Sequence, residues 1–200
     1  MNNSPDLPTI LSGLERLDDT ERLAFGVCLF ERALSGYLQF QSETNSVGGG
    51  ELRAALAHCW ATLEIGVAPK NPFVTVAECE KVMPDSEAHI SAYTSAAIDA
   101  VNIACNLLLY SVKRDLELLV EAVQSRRDTF DLFIQNALGL DPLGEGFEEK
   151  VATHPLMKEE MGFLHDDIRF LQESQMRGST TFVSILDRVI RLDYCKLRLK

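Results

Sequence analysis

Residues 95–113, SAAIDAVNIACNLLLYSVK, constrain this chain more than any other stretch. At about 100° per residue, Ser95, Asp99, Asn102, Asn106, Tyr110 and Lys113 fall within an arc of roughly 80°. Nearly every other position is Ala, Ile, Val, Cys or Leu. A surface helix carries an apolar stripe on a polar body, whereas this one carries a polar stripe on an apolar body. Such a helix belongs in the middle of a bundle. The expected fold class is therefore all-α: one domain spanning 1–200, a bundle of six or seven helices around a central, mostly buried helix at about 92–112.

The rest of the chain supplies helices to surround it. Asp18, Asp19, Thr20 and Glu21 give cap residues and first-turn acids to a helix over about 20–34, apolar nearly all round, with Ser35-Gly36 as a candidate kink before 37–40. Gly48-Gly49-Gly50 forms a flexible turn into a helix over 51–65, lined by Leu52, Leu56, Cys59, Trp60 and Leu63. Thr75 with Glu78 reads as the capping box of a short helix that stops before Pro84. A long helix over 115–138 ends at Gly139, and 141–153 is irregular apart from a turn at 147–151. Pro155 opens a helix with Met157, Met161, Leu164, Ile168 and Leu171 on one face, and a last helix covers 180–193. The tail 194–200 reads equally as a helix extension or a strand.

Charge and cysteine usage narrow the function classes. A net charge of -11 with no run of Lys and Arg opposes binding to nucleic acid. The amino terminus lacks a basic n-region, so no signal peptide is expected. No membrane contact is expected either, since even the central stretch carries Asp99, Asn102 and Asn106. Cys28, Cys59, Cys79, Cys105 and Cys195 are odd in number and contain no CxxC pair, the usage of free thiols in a reducing, cytoplasmic compartment.

Three pieces together carry a family resemblance. LERL at 14–17 precedes CLFER at 28–32, then Tyr37 and Phe40; after Trp60 and Leu63, AIDA occupies 97–100, with Glu80, Pro84 and Tyr93 between. In order and spacing this resembles the YjaG-like family of bacterial domains of unknown function, family 416, over about 14–112 and more weakly beyond. The resemblance implies a cytoplasmic, all-helical bacterial domain. It brings no assigned activity, and matches the family pattern at Glu31, Arg32, Tyr37, Trp60 and Asp99.

The candidate chemistry lies in buried polar residues. Glu31 falls among Ala24, Val27, Leu34 and Leu38, and Asp99 in the narrow polar stripe of the central helix. A buried carboxylate needs a partner, and the fork of Arg32 is the nearest candidate. Glu31, Arg32, Asp99 and Asn102 are therefore the candidate ligand-binding residues, around a small polar cavity for a ligand or divalent cation. A structural ion-pair and amide network is the favoured account of the same residues.

No catalytic residues, metal ligands or cofactor emerge from the spacing. None of the four histidines has Glu three residues before it, as a helical di-iron site requires. His58 shares a face with Glu51 and Thr62 and is expected in solvent; His165-Asp166 resembles the HD dipeptide of metal phosphohydrolases, without the further ligands in place. Leu156, Phe163 and Phe170 form a surplus apolar stripe, a candidate self-association face whose alternative is contact within the chain. The expected function is a non-catalytic, self-associating interaction module, with a ligand or cation binder, or an enzyme using the buried cluster, as the alternative.

Overall fold

The computed structural model describes residues 6–88, 91–176 and 182–192. The tail 194–200, Cys195 and His89 lie outside them. The described residues form nine α-helices and no strand: α1 (Leu7–Glu15), α2 (Asp19–Thr44), α3 (Gly49–Ile65), α4 (Val76–Glu80), α5 (Thr94–Lys113), α6 (Leu116–Leu138), α7 (Phe147–Thr153), α8 (Pro155–Met176) and α9 (Phe182–Leu192). The expected six or seven grow to nine because 7–15 and 147–153 are helices in their own right. Asp6 caps α1 by accepting from the Thr9 amide, with Pro8 in its first turn.

α5 is the hub, packing against α2, α3, α4 and α6. Its Ala96, Ala97, Ala100 and Ala104 are all buried, and these small side chains let neighbouring backbones come close. α2 answers in kind at Gly26, where an added Cβ would stand 2.3 Å from Leu107 Cδ2 of α5. Among the described residues α5 is the one helix long and apolar enough to cross a membrane, and 61% of that window is buried inside the fold. A second layer forms at α8, which packs on α1, α2, α6 and α7, while α9 lies on α2. One buried apolar cluster runs through both layers, from Ile10 to Ile185.

Local chemistry explains the boundaries. A capping box starts α2: the Asp18 carboxylate accepts from the Thr20 and Glu21 amides, and Glu21 accepts from the Asp18 amide at 2.9 Å. α2 runs as one 26-residue helix through Ser35-Gly36, where the Ser35 hydroxyl is absorbed by a bond to the Arg32 carbonyl. Thr75 and Glu78 form the expected capping box of α4. Gly66 and Gly139 close α3 and α6 in the left-handed conformation.

His58 corrects an expectation: it is buried, not solvated. The chain after Gly66 folds back along α3, so that Phe73 meets the imidazole edge-on at 5.7 Å between centroids. Ser111 Oγ of α5 lies 3.5 Å from His58 Nε2. Burial holds the His58 pKa below its ordinary value, and its Nδ1 is buried without a hydrogen-bond partner.

Candidate functional site

The charged centre of the molecule is built on Arg32, Arg126, Glu160, Asp167 and Arg188. Four of the five are almost completely buried, and Arg188 is 17% exposed in its side chain. Arg126 of α6 holds Glu160 of α8 in a fork, Nε to Oε1 at 3.0 Å and Nη2 to Oε2 at 3.2 Å. Arg32 of α2 reaches the same Glu160 Oε1 at 3.5 Å through Nε and Asp167 Oδ2 at 2.5 Å through Nη1. Arg188 of α9 takes the other Asp167 oxygen, Oδ1, at 2.8 Å from Nε and 2.7 Å from Nη2. Two carboxylates on α8 are thus gripped by arginines from three different helices.

Glu160 and Asp167 are seven residues apart on α8, one heptad, and so share a face. Burial alone would push the Glu160 carboxyl up; the guanidinium groups of Arg126 and Arg32 outweigh it and hold the pKa below its ordinary value. The guanidinium carbons of Arg126 and Arg188 also lie over the rings of Phe130 and Phe170, each 4.8 Å from the centroid. With every described oxygen of the two carboxylates engaged by nitrogen, this assembly orders four helices relative to one another.

The predicted site residues occupy separate settings. Consecutive positions on α2 point about 100° apart, so Glu31 turns to α3, where it accepts from Trp60 Nε1 at 2.9 Å, while Arg32 turns to α8. The expected partnership of Arg32 with Glu31 and Asp99 is corrected accordingly: its carboxylates are Glu160 and Asp167. Burial pushes the Glu31 pKa up, with the Trp60 bond opposing. Asn102 lines a surface groove with Asn106 and Cys105.

Asp99 faces α6, accepting from the Thr129 hydroxyl at 2.7 Å and from Ser95 at 3.4 Å. Among the described residues no cation pairs with it directly. Burial raises its pKa to about 6, against which the Thr129 bond is insufficient. Ser95 and Thr129 also line an open pocket of about 380 Å³ between α5 and α6, walled by Ile98, Leu132 and Phe133.

The sign of the Asp99 effect follows from linkage. Its folded pKa lies above the ordinary 3.8, so the native state binds more protons and stability falls as pH rises from 3.8 through about 6. Asp99→Asn keeps an acceptor for Thr129 and removes that penalty. It is expected to raise stability at pH 7 by on the order of 1 kcal/mol and to equal wild type near pH 4. Urea unfolding at the two pH values checks this; a loss at pH 7 would mean that the ionised carboxylate has a cationic partner.

His165 and Asp166 lie on the outer face of α8, with Arg169 Nη2 3.4 Å from Asp166. Among the described residues no three His, Cys, Asp or Glu side chains gather as metal ligands. Arg126, Glu160, Asp167 and Arg188 escaped the sequence reading, although a signal was available. Arg126 interrupts the α6 stripe between Val123 and Phe130, and Glu160 and Asp167 interrupt the α8 stripe beside Met157, Met161, Leu164 and Ile168.

Comparison with known proteins agrees with this architecture. A family model described as "Protein of unknown function (DUF416)" matches residues 9–193. Two curated relatives, the uncharacterized proteins YjaG of Salmonella typhimurium and Salmonella typhi, are each 25% identical over 166 residues, 82% of this chain and 82% of the relative. The crystal structure of a DUF416 family protein from Shewanella baltica OS155 matches with a TM-score of 0.80 at 20% identity, covering 91% of this chain and 93% of that one, a likeness of fold.

Proposed function

The chain belongs to the DUF416 family of proteins of unknown function, and from that premise we propose that it is a non-catalytic helical interaction module that self-associates. The observation that carries the reading is an apolar surface beside α3. Ile65, Val67 and Phe73 are 62%, 64% and 55% exposed, and Val112, next to Ser111, is 72% exposed. Phe73 meets the His58 ring of α3 edge-on, and Ser111, the neighbour of Val112 on α5, lies 3.5 Å from the same imidazole. Exposed apolar side chains in one region mark an association surface, and the fixed edge-on contact with His58 holds Phe73 ready at little entropic cost.

The α8 stripe contributes less to this reading. Leu156 and Phe170 are partly buried against the core, and Arg188 lies 4.8 Å over the Phe170 ring, leaving Phe163 half-buried between them in the stripe. A second copy is the simplest occupant of the α3 surface, since a two-fold contact buries the same patch on both subunits.

Sedimentation velocity over a wide concentration range tests it. Wild type is expected to pass from monomer to dimer as concentration rises, with a concentration-dependent Tm, and Phe73→Glu to remain monomeric. A wild-type protein monomeric throughout would overturn the proposal.

One observation favours a second reading: Asp99, without a cationic partner among the described residues, stands behind the two hydroxyls that line the α5–α6 pocket. A small ligand carrying an amine beside an apolar group fits that chemistry. Thermal stabilisation by simple alkylamines that is present in wild type and lost in Asp99→Asn would support it; equal shifts in both proteins would end it.

A further inference from the structure

Two of the buried thiols are neighbours, and the fold gives one of them an opening to solvent. Cys79 of α4 is fully buried, and Cys105 of α5 is half-buried behind a groove of about 450 Å³. Cys105 Sγ lies 3.9 Å from the Val76 carbonyl oxygen, and Val76 and Glu80 line the groove with it. Positions 76, 79 and 80 share one face of a helix, so Cys79 sits on the α4 face that covers Cys105. α4 packs directly on α5 here, and the influence of each thiol on the titration of the other marks the two as neighbours.

We propose that Cys79 and Cys105 form a reversible disulfide joining α4 to α5 when the protein meets a hydroperoxide. Cys105 is the attacking thiol, because the groove reaches it and the neighbouring Cys79 thiol lowers its pKa against burial and the nearby Glu80. Its sulfur takes the terminal oxygen of the peroxide; the O–O bond breaks, leaving a sulfenic acid on Cys105 and water from hydrogen peroxide. The Cys79 sulfur then attacks the sulfenic sulfur, an S–S bond forms, and hydroxide leaves with the Cys79 proton as a second water. Two thiols have lost two protons and two electrons, which the peroxide has accepted in becoming two waters.

Cys28 and Cys59 serve as internal controls. Both are buried, and burial pushes their thiols up, that of Cys59 to about 12. Neither is expected to react while the protein is folded.

The test uses the full chain carrying Cys195→Ser, which removes the fifth thiol. Reduced protein is treated with stoichiometric hydrogen peroxide, alkylated and mapped by mass spectrometry. A Cys79–Cys105 linked peptide is expected, reversed by dithiothreitol, with Cys28 and Cys59 alkylated only after denaturation. Adding Cys79→Ser should replace the link by a Cys105 sulfenic acid trapped with dimedone, and adding Cys105→Ser should slow oxidation of Cys79 by roughly tenfold or more. Before oxidation, far-ultraviolet circular dichroism confirms that both variants are folded. Oxidation of Cys105 past sulfenic acid without a link in the Cys195→Ser protein, or linkage of either residue to Cys28 or Cys59 instead, would overturn the proposal.

Discussion

Asp167→Asn is expected to cost about 3–5 kcal/mol, because it removes one charge from a buried pair and leaves its partners behind. The wild-type carboxylate is 1% exposed and holds Arg32 through one oxygen and Arg188 through the other. The amide can accept from one guanidinium with its oxygen, but its NH2 group then confronts the other, and two positive charges are left in a site that excludes water. The loss is expected in two stages. Arg188 ties α9 to α8 through Asp167, so hydrogen exchange in α9 should rise first, under conditions where α2 and α5 remain protected. Arg169→Ala, on the outer face of the same helix with 63% of its side chain exposed, should change stability by less than about 0.5 kcal/mol.

The same network sets an acid limit. The Glu160 pKa is held below its ordinary 4.5, so the stability this group contributes is fully present above that value and disappears as pH falls through the folded pKa. Asp99 works in the opposite direction between 3.8 and about 6. Removing Arg126 would strip Glu160 of its bidentate partner and should move acid unfolding to higher pH, whereas Asp99→Asn should leave the acid limb unchanged.

The bundle was legible because its strongest signal is local. Inverted amphipathicity at 95–113 requires a hub helix whatever the neighbours are, and capping boxes at Asp18 and Thr75 state where chains turn into helices. The candidate site was legible only in part. That Arg32 would be buried and paired follows from its position in an apolar helix. That its partners lie 128 and 135 residues away on α8 does not follow from periodicity, which assigns a residue to a face but not to a neighbour. Seven-residue spacing of Glu160 and Asp167 inside an apolar stripe was a usable clue, since two isolated charges on a buried face demand counter-charges. His58 failed for a related reason: the wheel placed it opposite the α3 core stripe, and the residues that cover it, Ser111 of α5 and Phe73 of the returning 66–74 segment, are distant in sequence.

Gly48→Ala is expected to destabilise by about 3 kcal/mol, through backbone strain and a steric clash at one atom. Gly48 has φ +130°, a region that side chains with a Cβ rarely adopt, and the added carbon would stand 2.1 Å from the Tyr37 hydroxyl and 2.6 Å from Val82 Cβ. Tyr37 is completely buried, and its hydroxyl lies 2.9 Å from the Val47 carbonyl and 2.8 Å from that of Val82, so it cannot retreat without leaving both acceptors. What reads in sequence as a flexible three-glycine turn is therefore a junction where α2, the start of α3 and the end of the α4 segment meet. The neighbouring Gly49 amide donates to Gln41 Oε1 at 2.9 Å, so the protein itself satisfies a donor that an anion would otherwise seek at this helix start. Gly50 supplies the contrast: nothing stands within 4 Å of its added Cβ, and it lies within α3. Gly50→Ala should raise stability by about 0.5–1 kcal/mol through better helix propensity and a less flexible unfolded chain. Urea unfolding of the two variants side by side decides the matter: a turn needed only for flexibility would respond similarly at 48 and 50, whereas a packed junction separates them by about 4 kcal/mol in opposite directions.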